Sequence, residues 1–240
     1  MERRECRISA VLFTEEEIQN GCASPSFLEK ITKMAQSPWI RGLTIVYDCI
    51  PFFNGLDILN LRLHIMDPYV DRFVIEEATM TFSGEPKELC FEKNKEMFRE
   101  FLPKITYVVV RDTPVKAITH ERDYFQKNRL IEGLKDATPQ DVIIFGDADE
   151  IPNPVTLQKL IAEFDPAKVY HLAQRNFYGF LNMEEKSGSL MSITGDFPDI
   201  PKEKRLWLGT KVFSISSIPK DGMVRMRDLI PVPDPRSVRV

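Results

Sequence analysis

From residue 43 onward, apolar positions follow two alternating periods. Short apolar runs at 43–47, 72–75, 105–110, 142–145 and 169–172 read as strands. The stretches between them have helical spacing. Residues 56–66 place Leu56, Leu59, Leu63 and Met66 on one face. Residues 92–102 form a second amphipathic stretch, broken by Pro103. Residues 119–134 align Tyr124, Leu130, Ile131 and Leu134, and 154–164 begin with Pro154, where a helix tolerates it. Strands separated by helices predict parallel βαβ units. The expected fold class is α/β, a Rossmann-type, mostly parallel sheet flanked by helices. Near-continuous apolar strands such as 107–110 and 142–145 fit a sheet covered on both faces.

After about residue 175 the alternation stops. Residues 177–182 read as a hairpin strand and 211–215 as a further strand. Pro231, Pro233 and Pro235 exclude a central strand or helix at the end of the chain. Residues 1–42 show no strand pattern. Ile18, Phe27, Leu28, Ile31 and Met34 suggest short helices, with Ser26 as an N-cap. The division expected is a variable N-terminal extension, 1–42, and a main domain, 43–240.

Composition narrows the class. The chain has 240 residues, 43% hydrophobic and 28% charged, enough for a sizeable core and too ordered for wholesale disorder. A net charge of −4 argues against a nucleic-acid partner held by charge. No apolar run nears the ~20 residues of a membrane span, and residues 8–13 are too short for a signal-peptide core. The expected location is cytoplasmic or peripheral to a membrane. Cys6, Cys22, Cys49 and Cys90 have no CxxC spacing, and only His64, His120 and His171 accompany them. That excludes a structural zinc site and predicts free thiols. Residues 201–240 carry nine Lys/Arg against four Asp/Glu, either a solvated tail or a basic wall for an anionic ligand.

The sharpest local chemistry is Gly146-Asp147-Ala148-Asp149-Glu150-Ile151-Pro152, directly after an apolar strand. In extended chain, aspartates two apart project to the same side. Hard divalent cations take one or two carboxylates plus phosphate oxygens, so Asp147 and Asp149 are candidate ligands for Mn2+ or Mg2+ beneath a diphosphate. The alternative is helix capping at Pro154 by Asp149 or Asn153. Pro152 and the lack of a closing Glu exclude an EF-hand loop. A second strand end, Asp48 to Asn54, offers a carboxylate and two phenylalanines as a grip on a base or ribose, or simply a turn over buried rings. A third runs from Glu76-Glu77-Ala78 to Thr81-Phe82-Ser83-Gly84. A fourth group, Glu121, Gln126, Asn128 and Arg129, lies on the 119–134 helix.

Several of these segments together resemble family 17 of the glycosyltransferases. They are Tyr47-Asp48-Cys49-Ile50-Pro51-Phe52-Phe53-Asn54 with Leu56-Asp57 and Leu61-Arg62-Leu63, Phe73-Val74-Ile75-Glu76-Glu77-Ala78, Thr81-Phe82-Ser83-Gly84-Glu85-Pro86-Lys87, Asp147-Ala148-Asp149-Glu150-Ile151-Pro152, and Trp207-x-Gly209-Thr210-Lys211. The likeness runs in order from about Leu43 to about Arg227. It implies a GT-A-like fold, a UDP-N-acetylglucosamine donor, a glycan acceptor, manganese at the DxD motif, and transfer with inversion. Gly55 stands where the family usually has an acidic residue. A Gly-Trp-His-like segment expected further on does not occur before Val240, so the 43–240 domain is expected to be truncated at its C-terminus.

Under that resemblance, Asp147 and Asp149 are the expected metal ligands. Asp48 and Glu77 are expected to face the donor crevice, Asp48 near uracil or ribose, with Arg129 or Lys211 near phosphate. Glu150, then Glu121, are the candidates for the base that deprotonates the acceptor hydroxyl. The competing class is a non-catalytic relative that binds a nucleotide sugar or a glycan. An aspartyl-phosphate phosphatase also uses Asp-x-Asp, but after the first core strand, with a hydroxyl residue following closely. Here Glu150-Ile151-Pro152 follow, on the fourth strand.

Overall fold

The structure, a computed structural model, describes residues 6–10, 44–175, 177 and 207–226. The strands are β1 (Cys6–Ala10), β2 (Val46–Phe52), β3 (Arg72–Ala78), β4 (Ile105–Val110), β5 (Val142–Phe145), β6 (Val169–Gln174) and β7 (Trp207–Phe213). They form one sheet in the order β1-β6-β7-β5-β2-β3-β4. Pairing is parallel except where β7 runs antiparallel to both β5 and β6. The α-helices are α1 (Leu56–Met66), α2 (Cys90–Asn94), α3 (Thr119–Asn128) and α4 (Pro154–Ala162).

The helices cover both faces. Leu59 and Leu63 of α1, Phe91 of α2 and Leu157 of α4 pack with Ile50, Phe73, Ile75 and Ile144 in one core layer. Leu130 and Leu134, in the 3-10 turns after α3, pack with Cys49, Val74, Ile143 and Phe145 in the other. All four residues of β5 are therefore fully buried, as its unbroken apolar sequence requires. Right-handed crossovers put α1 and α3 on opposite faces, because β2 leads outward to β3 and β4 while the chain returns to place β5 on the other side of β2. The direction of winding reverses between β2 and β5, which opens a crevice beyond their carboxyl ends.

Several sequence expectations shift. The first 42 residues do hold a strand: β1 pairs in parallel with β6, from Cys6 opposite Val169 to Ala10 opposite Ala173. The strand expected at 43–47 lies at Val46–Phe52 and runs through Pro51. The β5 pairing ends at Cys49 opposite Phe145, so beyond it β2 has a neighbour on one side only, the condition under which a strand tolerates proline. The helix expected at 92–102 is one short helix, α2, and separate 3-10 turns, and the 119–134 helix tightens to 3-10 from Arg129. The last strand is Trp207–Phe213 rather than 211–215, because Ser214 begins a 3-10 turn whose Ser216 N–H it caps. The short helices expected before residue 43, most of the hairpin expected at 177–182, and the proline-rich end lie outside the described residues. Among the described residues, no helix is long and apolar enough to cross a membrane. Cys49 and Cys90 are free thiols.

Candidate functional site

The acidic motif is a turn rather than extended chain. Glu150 N–H donates to Asp147 O at 2.9 Å, closing Asp147-Ala148-Asp149-Glu150 into a β-turn. Gly146 permits it: a Cβ there would meet Thr210 Oγ1 at 2.7 Å and Glu150 Oε2 at 3.0 Å, so the chain can leave β5 against β7 only as glycine. Glu150 folds back under the turn and is buried. Its Oε2 accepts from Asp147 N–H (2.8 Å) and its Oε1 from Trp207 Nε1 (2.7 Å). Thr210 Oγ1 donates to Glu150 O at 2.6 Å, tying the turn to β7.

From the other side, Arg62 of α1 braces the same turn. This guanidinium is fully buried. It donates to both carboxylate oxygens of Asp48 (2.9 and 2.7 Å), and its Nη1 donates to Asp147 O (2.7 Å) and Glu150 O (3.1 Å). The capping alternative for Asp149 falls away, because Asn153 Oδ1 caps α4, accepting from Val155 and Thr156 N–H. Asp149 is exposed, and Asp147 is half-buried.

The turn forms one end of a cavity of about 340 Å³ at the β2/β5 reversal. Pro51, Phe52 and Phe53 from β2 and its end line it, together with Glu76 and Ala78 from β3, Phe82 from the following loop, Gln126 and Lys127 from α3, and Asp147 and Asp149. Lys127 Nζ lies 2.9 Å from Asp147 Oδ1 and 3.0 Å from Asp123 Oδ1, and 5.8 Å from the centre of the Phe82 ring. Lys87 Nζ sits 5.6 Å from the centre of Phe53. Arg122 holds the Phe82 loop in place: its Nη1 donates to Phe82 O at 3.0 Å, while Gly84 takes φ +94°, a conformation open to glycine.

A sequence profile of glycosyltransferase family 17 matches residues 30–193. The chain belongs to glycosyltransferase family 17. Three curated relatives are similar over 160 residues: the beta-1,4-mannosyl-glycoprotein 4-beta-N-acetylglucosaminyltransferases of Rattus norvegicus and Homo sapiens at 29% identity and of Mus musculus at 28%. The aligned part is 62% of this chain and 29–30% of each relative, so the chain spans under a third of the proteins it matches. The family match begins at residue 30, inside the stretch expected to be an extension, and ends before Trp207.

The residues expected from sequence divide sharply within this family 17 chain. Asp147 and Asp149 reach the cavity. Asp48 does not: its side chain is fully buried against Arg62, on the α1 face of β2. Glu77 is also fully buried. Its Oε1 accepts from Lys87 Nζ (2.7 Å) and Cys90 N–H (2.6 Å), and its Oε2 from Phe91 N–H (3.0 Å) and Tyr107 O–H (2.8 Å). It anchors the start of α2, and burial, together with the hydrogen bond to Glu77, pushes the Tyr107 hydroxyl well up. Arg129 pairs with Asp112 and Glu132 and lies over Phe125, away from the cavity lining. Lys211 is buried in β7 and donates to Leu208 O and to Gly209 O (2.8 Å). Glu121 accepts from Ile118 N–H at 3.0 Å at the start of α3, and Glu150 underpins the turn.

Sequence reasoning gave no site role to Arg62, Lys127 or Glu76, although Glu76 lay in the third strand end noted above. Arg62 stood inside a quoted family segment, at helical spacing from Leu59 and Met66; nothing local marked it as buried. Lys127 lies one residue beyond Gln126 in the polar group noted on the helix. Glu76 is a strongly perturbed acid at the site. It is 2% exposed, lines the cavity, and its Oε1 has no hydrogen-bond partner among the described residues. Burial pushes its carboxyl up to about 8, with neighbouring Glu77 and Asp123 adding to the rise and Lys87 and Lys127 opposing it.

Proposed function

We propose that this family 17 chain carries a nucleotide-sugar site of GT-A type and transfers N-acetylglucosamine from UDP-N-acetylglucosamine to a glycan hydroxyl, with inversion and with a divalent cation. The observation that carries the reading is the Asp147–Glu150 turn, at the carboxyl end of β5, opening onto a cavity at the winding reversal. Ligands of open α/β sheets bind at that place. The strand order β4-β3-β2-β5-β7-β6 with one antiparallel strand supports the GT-A reading. The relatives' names support the sugar and the glycan.

The donor set suits a hard cation. Asp147 and Asp149 offer two carboxylates on one turn, and no group of three or more His, Cys, Asp or Glu occurs among the described residues. Two carboxylates completed by diphosphate oxygens is the way Mg2+ or Mn2+ is usually held. Bound there, the cation supplies Lewis-acid neutralisation of the departing diphosphate. The chain's own residues do the rest. Arg62 and Glu150 preset the turn, so little ordering remains on binding. Lys127, held between Asp123 and Asp147, places a second positive charge at the diphosphate end. Phe53 and Phe82 offer ring faces to a planar base.

Calorimetry with UDP, with and without manganese chloride, tests the site, and release of UDP with transfer to a glycan tests the reaction. Metal-dependent UDP binding with turnover, and the opposite anomeric configuration in the product, are expected. Binding without turnover favours the non-catalytic relative. No UDP binding refutes the reading.

A further inference from the structure

A buried carboxyl with no partner is rare, because removing it from water without a hydrogen bond costs free energy that the fold must offset elsewhere. Glu77, the next residue on the strand, has four donors around its two oxygens; Glu76 Oε1 has none among the described residues. Successive strand residues face opposite sides of the sheet, so Glu77 meets α2 while Glu76 faces α3 and the cavity. Among the described residues, none gives Glu76 Oε1 a structural task. What it lacks, a ligand in the cavity can supply.

Its position says which part of a nucleotide it meets. Glu76 is opposite Pro51 across the β2/β3 ladder, and Cys49 is opposite Phe145 across β2/β5. Asp147 opens the turn two residues after Phe145, so the acidic turn and Glu76 lie at the same, carboxyl end of the sheet, on β5 and β3. β2 lies between β5 and β3, so the two strands are two spacings apart, about 10 Å. A diphosphate held at Asp147 therefore leaves ribose and base to extend towards β3. A carboxyl would repel phosphate, and Lys127 separates it from that end. Phe53, Ala78, Met80 and Phe82 line the cavity with apolar surface suited to a flat ring.

Resting on the nucleotide-sugar reading above, we infer that Glu76 selects the base of the donor by hydrogen bonding to the imide edge of uracil at the inner end of the cavity. With its carboxyl pushed up to about 8, Glu76 is mostly protonated at neutral pH. It then offers one O–H donor and one carbonyl acceptor, the complement of an N3–H beside a carbonyl. Ionised, it still accepts from N3–H but turns its second lone-pair set on the neighbouring carbonyl oxygen. UDP affinity therefore falls as pH rises through about 8. The charged groups that act on Glu76 are Lys87 from the loop after β3 and Lys127 and Asp123 from α3, with Glu77 adjacent on its own strand but turned to the other face.

The test is calorimetric titration of the full chain with UDP and with UDP methylated at N3, in manganese chloride. It compares the unmodified chain with Glu76→Gln and Glu76→Ala, and melting curves confirm that each variant folds. Expected is a loss of roughly tenfold or more on N3-methylation for the unmodified chain, and a similar loss of UDP affinity in Glu76→Ala with the discrimination gone. Glu76→Gln, which keeps a donor and an acceptor, should retain affinity and lose the fall between about pH 7 and pH 9. If Glu76→Ala binds UDP as the unmodified chain does, or still rejects the methylated base, the assignment to Glu76 is overturned while the donor site stands. If the unmodified chain binds no UDP, both are overturned.

Discussion

Arg62 allows the most direct test of how the acidic turn is held. Replacing it with methionine keeps the length of the side chain and removes the guanidinium. Asp147 O and Glu150 O each keep another donor, Glu150 N–H and Thr210 Oγ1 respectively, so neither carbonyl is orphaned. The dominant cost is Asp48, whose carboxylate stays fully buried and loses its bidentate partner. Breaking a buried pair from one side typically costs about 3–5 kcal/mol, a large share of the ~5–15 kcal/mol that stabilises a domain. For a chain of this size that is a fall in Tm of roughly 6–20 °C. Urea unfolding of Arg62→Met against the unmodified chain measures it. Removing both charges, with Arg62→Met and Asp48→Leu together, should recover most of the stability, because a buried ion pair is often replaceable by apolar groups. The double variant should nevertheless bind UDP and manganese more weakly, since the turn has lost its brace. A cost below about 1 kcal/mol for the single variant would show that Asp48 is not desolvated as described.

Other expected outcomes can be checked separately. Asp149→Asn should leave the melting curve unchanged and sharply weaken manganese-dependent UDP binding in calorimetry, whereas unchanged affinity would remove Asp149 from the metal site. Gly146→Ala should destabilise the chain by about 1–3 kcal/mol in urea unfolding, because the new methyl meets Thr210 Oγ1 and Glu150 Oε2. His171 is fully buried in β6 with neither ring nitrogen partnered among the described residues, and burial, aided by Lys211, pulls it from 6.5 down to about 3. Its native form refuses a proton that the unfolded chain accepts. The His171 contribution to stability is therefore intact above about pH 6.5 and falls by about 1.4 kcal/mol per unit as pH drops towards 3, and His171→Leu should flatten that slope. Glu76 acts in the opposite sense: it binds its proton more tightly when folded, so Glu76→Gln should gain stability over the unmodified chain as pH rises from 4.5 to about 8.

Much of the architecture was legible from residue order. Periodicity located β3 to β6, α1 and the start of α4, because strand and helix periods are local properties of the chain. The acidic turn was visible as carboxylates at a strand end, and the order of the motifs pointed to the family. Other features depended on contacts distant in sequence. Trp207–Phe213 enters antiparallel between β5 and β6, and Cys6–Ala10 adds at the edge, although neither segment's neighbours reveal its partner. Asp48 looked like a ligand contact until Arg62, fourteen residues on, was found to occupy it. The choice between Glu76 and Glu77 was also beyond the sequence. β3 is apolar on both faces up to this pair, so its pattern has no alternation from which to read the phase. A step of one residue exchanges the faces of a strand, and only the packing of α1 and α2 on one side and α3 on the other sets which glutamate is anchored and which meets the cavity.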